Sequence, residues 1–85
     1  MLFMVIEHFR HGDPKPIGQR FRQSGRMLPD GVAHHASWVD PAGARCFQVM
    51  EAHDRALLDT WASRWNDLVD LEIAPVVTSA EFGTR

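Results

Sequence analysis

The chain has 85 residues, 45% of them apolar and 24% charged, with a formal net charge of −2. That length makes one domain, 1–85, and a chain this short hides only about 60% of the surface its unfolded form exposes, so its core is thin. The composition excludes disorder, the single cysteine excludes a disulfide framework or a cysteine-rich zinc site, and the acidic balance argues against a general nucleic-acid binder.

Met1 to Phe9 reads as a strand apolar on both faces for most of its length, with Leu2, Met4 and Ile6 on one side and Phe3 and Val5 on the other. Its apolar run, Met1 to Ile6, is too short for a signal peptide or a transmembrane helix, which points to the cytoplasm rather than a membrane. Asp13-Pro14 opens a helix, with Asp as N-cap and Pro in the first turn. Ile17, Phe21, Ser24 and Leu28 give that helix an apolar stripe, and Pro29-Asp30-Gly31 stops it. Gly18 and Gly25 would each cost a helix interior about 1 kcal/mol against Ala. They allow close packing of the helix on a sheet, or they leave a gap wide enough for a ligand.

A hairpin follows, from His34 to Glu51. Asp40-Pro41-Ala42-Gly43 has Pro where a type I turn needs φ near −65° and Gly where a left-handed residue closes a three-residue loop, and the Asp40 carboxylate can accept from the turn backbone. That loop pairs Trp38 with Cys46, Ala36 with Gln48 and His34 with Met50, and places them on one face. A two-residue loop would pair Asp40 with Gly43 and mix the faces, because a one-residue slip changes the face of every partner. Asp54 then caps a second helix with a stripe of Leu58, Trp61, Ala62, Trp65 and Leu68. Leu71 to Thr78 forms a last strand, at an edge because Pro75 lacks a donor. A polar tail begins at about 79.

The order βαββαβ is that of a ferredoxin-like α+β domain: a four-stranded antiparallel sheet with two helices on one face. The other face is bare. Two-faced apolar strands predict that it meets a second copy, forming a homodimer that stabilises a small chain.

Several stretches, namely MLFMVIEHF, FRQSGRMLP, SWVD, RCFQVMEA, Trp61 to Trp65 and PVVTSAE, resemble a bacterial family of short proteins described as a domain of unknown function, within the dimeric α+β-barrel superfamily. The resemblance covers most of the chain and implies a dimer with a cavity between sheet and helices. The wider superfamily includes cofactor-free monooxygenases, muconolactone isomerases, haem-dependent chlorite-degrading enzymes and stress-responsive proteins. A shared fold does not carry a reaction with it.

Charge is unevenly placed. Arg10, Lys15, Arg20, Arg22 and Arg26 share a segment whose only acid is Asp13, whereas acids dominate from Glu51 to Glu81. These are two solvated faces of opposite sign, or a basic rim that steers anionic small molecules to a pocket. Five histidines invite a metal reading, but His34 and His35 are consecutive on a strand and point to opposite faces, so no metal site is expected. Cys46 reads as a small buried hydrophobe.

His8 and Glu7 end the first strand, where a base could stand at the mouth of a pocket. His8 and His35 are the candidate catalytic residues, suited to taking a proton from an acidic C–H or a phenol. The candidates for a ligand pocket are His34, Trp38, Gln48, Phe21, Trp61 and Trp65. Gln48 needs partners for its amide if it is buried, and Trp61 and Trp65 serve equally as plain core. No cofactor is implied. The expected function is binding of a small molecule by a homodimer, with a cofactor-free monooxygenase or isomerase, or an interaction or stress-response module, as the other readings. The module is favoured if Phe21, Trp61 and Trp65 fill the space between sheet and helices.

Overall fold

The structure, a computed structural model, describes residues 1–84. Its elements run β1 (Leu2–Phe9), α1 (Lys15–Ser24), β2 (Ala33–Val39), β3 (Arg45–Glu51), α2 (Arg55–Ala62), β4 (Val69–Val76) and a short α3 (Ser79–Gly83). The strands form one antiparallel sheet in the order β2-β3-β1-β4. This is the ferredoxin-like α+β arrangement that the element order predicts. The expected polar tail is α3, capped by Thr78, whose Oγ1 accepts from the Glu81 amide at 3.0 Å.

Alternation along the two central strands decides what the helices cover. On β1 the buried set is Phe3, Val5, Glu7 and Phe9, while Leu2, Met4, Ile6 and His8 lie half-buried on the outer face. On β3 the buried set is Cys46, Gln48 and Met50. These inner side chains pack with Leu58, Trp61, Trp65 and Val69. Two polar groups, Glu7 and Gln48, therefore lie in the core layer of a small domain.

The two helices meet that layer differently. Asp54 caps α2 by accepting from the Ala56 amide at 2.8 Å, and the helix drives Leu58 and Trp61 into the core. By contrast, α1 buries none of its residues. It also ends earlier than its apolar spacing predicts. Gly25, with φ of +67°, terminates it, so Leu28 lies beyond the helix and Gly25 is a terminator rather than an interior glycine.

The hairpin keeps its expected turn chemistry in a longer loop. Gly43 has φ of +75°, its amide donates to the Asp40 carbonyl at 2.7 Å, and the Ala42 amide donates to Asp40 Oδ1 at 2.8 Å. The Asp40 amide, however, donates to the Arg45 carbonyl at 2.9 Å, so Ala44 also belongs to the loop. Two contacts favour this: the Arg45 guanidinium closes on the Asp40 carboxylate at 3.1 Å, and the Ala44 carbonyl accepts from the Phe9 amide at 2.9 Å. Next to the loop neither expected register holds. Val39 pairs with Cys46, Trp38 with Phe47 and Ser37 with Gln48, and a bulge between His34 and Ala36 restores the expected pairing of His34 with Met50. The slip carries Trp38 to the outer face, where it is 57% exposed, and brings Ser37 and Val39 to the inner one.

The core beneath α2 sets the stability. Leu58 is fully buried, so Leu58→Ala should cost about 2–5 kcal/mol, read as a lowered urea midpoint with an unchanged denaturant slope.

Candidate functional site

Because α1 stands off the sheet, a cavity of about 370 Å³ remains beneath it. Phe9, Trp61 and Trp65 form buried walls, and Ile17 and Gly18 of α1 roof it. Exposed Phe21 and Arg22 on one side, and exposed Ser37 and Val39 on the other, mark its mouth between α1 and β2. The lining is mainly apolar with a few convergent polar groups, which is the make-up of small-molecule sites.

Those polar groups are Glu7 and Gln48, 5% and 4% exposed. The Gln48 Nε2 donates to Glu7 Oε1, whereas Gln48 Oε1 is buried without a partner among the described residues. Turning the amide over would let a protonated Glu7 donate to Oε1 and free an N–H instead, so the pair can present either an acceptor or a donor. Burial pushes the Glu7 carboxyl up to about 7, against the opposing pull of the Arg26 charge and the Gln48 hydrogen bond. The Cys46 thiol beside it is pushed up to about 11 by burial and by the Glu7 charge, so it is not a thiolate nucleophile at neutral pH.

Arg26 is held in place from below. Its carbonyl accepts from both indoles, Trp61 Nε1 at 3.0 Å and Trp65 Nε1 at 3.1 Å. Its guanidinium stacks over Phe21, 5.1 Å from the ring centroid, and lines the cavity. Flanking contacts tie the same region to the turn after α2. The Arg64 guanidinium donates to the Met27 carbonyl at 2.7 Å, and Arg20 grips both carboxylate oxygens of Asp67 at 2.6 and 2.7 Å.

Of the expected pocket residues, Gln48, Phe21, Trp61 and Trp65 come together in the cavity. His34 stands behind Gln48 on the inner face and does not line it. Its Nε2 is buried and makes no regular hydrogen bond, and its pKa lies below the ordinary range, through burial first and then the Arg26 and His35 charges, against an opposing interaction with the Gln48 side chain. Trp38 is on the opposite face, because of the register slip. The two candidate bases are outside the cavity as well. His8 pairs with Glu72 at 2.6 Å and His35 with Glu51 at 2.8 Å, both on the outer face. The carboxyl that does reach the cavity is that of Glu7. Its signal was its parity with Phe3, Val5 and Phe9, the apolar set of β1 that faces the helices. Arg26 carried no such signal, because its place depends on a helix that stops at Gly25. Among the described residues no group of three or more His, Cys, Asp and Glu is placed to hold a metal ion, and no helix is long and apolar enough to cross a membrane.

The sheet, the two helices on one face and the cavity between them define a small ferredoxin-like α+β protein. Its sequence matches the model of DUF3303, a domain of unknown function, over residues 1–84, and the chain belongs to that family. No curated protein matches it. Among solved structures it is similar to SCO4226 from Streptomyces coelicolor A3(2), at a TM-score of 0.65 and 22% identity, covering 93% of this chain and 99% of that one. That likeness bears on the fold.

Burial of Glu7 couples stability to pH. Its folded pKa of about 7 lies above its ordinary 4.5, so the folded state holds a proton that the unfolded chain has released. The resulting stability is full below pH 4.5 and is lost as pH rises through about 7. At ~1.4 kcal/mol per pKa unit the swing is about 3 kcal/mol. His34 works the other way, losing stability as pH falls, so the contrast with a variant isolates Glu7. Glu7→Gln should flatten the fall in unfolding free energy between pH 5 and 8, measured by urea denaturation, by about that amount.

Proposed function

We propose that this protein binds a small molecule in the cavity beneath α1 and works as a homodimer. The observation that carries the reading is the polar pair on the cavity floor: Glu7 and Gln48 are buried and hydrogen-bonded to each other in an otherwise apolar space. Polar groups placed in an apolar cavity can orient a ligand through their remaining hydrogen-bonding capacity. The cavity also weighs against a pure interaction module, since Phe21, Trp61 and Trp65 line the space without filling it.

The dimer reading rests on the outer sheet face. There Met4, Ile6, Phe47 and Val49 are half-buried and Trp38 is exposed, and the pairs His8–Glu72 and His35–Glu51 stand on the same face. An apolar centre with polar groups about it is the anatomy of a protein interface, and a two-fold copy would bury the patch against itself. The reading places the protein in the cytoplasm, where the free Cys46 thiol stays reduced.

One observation favours catalysis as a second reading. A carboxyl with a pKa of about 7 in a mainly apolar cavity is poised to take a proton from, and return it to, an aromatic or unsaturated substrate, as a cofactor-free isomerase or monooxygenase requires. In that reading Glu7 is the base. For any substrate found, Glu7→Gln should lower kcat at least a hundredfold while His8→Ala and His35→Ala keep it, and the reverse pattern would overturn the assignment.

Native mass spectrometry of the freshly purified protein tests the binding reading directly. The expected result is a dimer that carries extra mass. Gly18→Leu, which projects a side chain from the roof, should remove that mass and keep the dimer, whereas Trp38→Glu should give monomers. A wild-type monomer would overturn the dimer, and retention of the ligand by Gly18→Leu would place binding elsewhere.

A further inference from the structure

We infer that the ligand of this cavity is a small aromatic carboxylate, held with its anionic group between Arg26 and Glu7, and that Glu7 takes up a proton when it binds. This rests on the cavity reading above and names the ligand class. Two cations line the space, Arg22 at the mouth and half-buried Arg26 within, and neither forms an ion pair with a described residue. The other arginine beside the cavity wall, Arg20, is engaged by Asp67.

Arg26 is the better placed of the two. Its carbonyl is fixed by two indole N–H groups and its guanidinium lies on Phe21, so its charge is oriented before any ligand arrives. A planar guanidinium presents paired donors that match a carboxylate. Phe9, Phe21, Trp61 and Trp65 supply faces and edges for a ring, which makes an aromatic body fit better than an aliphatic one.

Glu7 decides the proton balance. In the empty site the Arg26 charge favours ionised Glu7, but an incoming carboxylate takes over that charge and would face Glu7 across the cavity. Two carboxylates at one site cannot both stay ionised at low cost, so Glu7 accepts a proton from solvent and its O–H donates to a ligand oxygen. The ligand keeps its charge, and proton uptake on binding approaches one per molecule as pH rises above about 7, where Glu7 of the empty site is ionised. The other titratable groups near Glu7 are Cys46 on β3 and His34 on β2. Cys46 stays a thiol, and His34, held below its ordinary value, stays largely neutral near pH 7. The α2 side contributes only the indoles of Trp61 and Trp65 to the cavity, and β4 contributes nothing to it.

The test is calorimetric titration of the intact protein with 4-hydroxybenzoate, and with uncharged 4-hydroxybenzamide of nearly the same shape, at pH 6 and pH 8 in buffers of different ionisation enthalpy. The acid should bind at least tenfold more tightly than the amide at pH 6, with uptake of close to one proton at pH 8. From Glu7 at about 7, its affinity should fall about tenfold between pH 6 and 8. Arg26→Gln should erase the preference for the acid and keep the amide's affinity, and Glu7→Gln should remove the pH dependence. Equal binding of acid and amide overturns the carboxylate assignment but supports the cavity itself. Binding of the acid without proton uptake overturns the role of Glu7. Absence of binding by both compounds overturns this ligand class, and the cavity reading with it only if the purified protein also carries no extra mass.

Discussion

A carboxyl and an amide on the inner face of the two central strands are the constraint around which this small domain is arranged. Glu7 on β1 and Gln48 on β3 occupy positions that alternation assigns to the core, among Phe3, Val5, Phe9, Cys46 and Met50. A purely apolar layer would draw both helices down onto the sheet. With a polar pair in the layer, complete closure would strand hydrogen-bonding groups in a dry interior, which is costly. The domain packs α2 tightly against one half of the layer, leaves α1 raised over the other, and keeps open space where the polar pair lies.

What keeps that space from collapsing is a set of hydrogen bonds between distant parts of the chain. Trp61 and Trp65 bury large ring surfaces while both indole N–H groups reach the Arg26 carbonyl. Each such bond contributes about 0.5–1.5 kcal/mol net, and it places the residue after the Gly25 turn at a defined height above the sheet. Arg64 on the Met27 carbonyl and Arg20 on Asp67 brace the same region. Those surface contacts add little stability. Their value is geometric, since they orient α1 and the arginines that face the cavity.

The two faces of the sheet divide the titratable groups by role. On the outer face His8 and His35 each meet an exposed glutamate. On the inner face Glu7, Cys46 and His34 are desolvated, and each is shifted toward its neutral form. The desolvated titratable groups thus lie on the face that the helices cover, beside the cavity, and the solvent-exposed histidine–glutamate pairs on the face that they leave open.

Local chemistry was legible in the residues themselves. The element order, the Asp54 cap, the turn built on Asp40, Pro41 and Gly43, the parity of β1, and the meeting of Phe21, Gln48, Trp61 and Trp65 follow from periodicity and turn preference, which act over a few residues. The remainder needed the folded chain. Whether Ala44 belongs to the loop depends on what its carbonyl and the Arg45 side chain find across the sheet, and that single residue sends Trp38 to the outer face. Gly25 ends α1, and where the chain goes next is fixed by two indoles that are distant in sequence and hold the Arg26 carbonyl. Glu7 is marked in the sequence only by its parity with Phe3 and Val5, and Arg26 looks like an ordinary surface charge there. Only the packing of β1 beneath the helices buries the one, and only the turn after α1 points the other at the cavity, because burial and register are sums over contacts that a linear pattern does not contain.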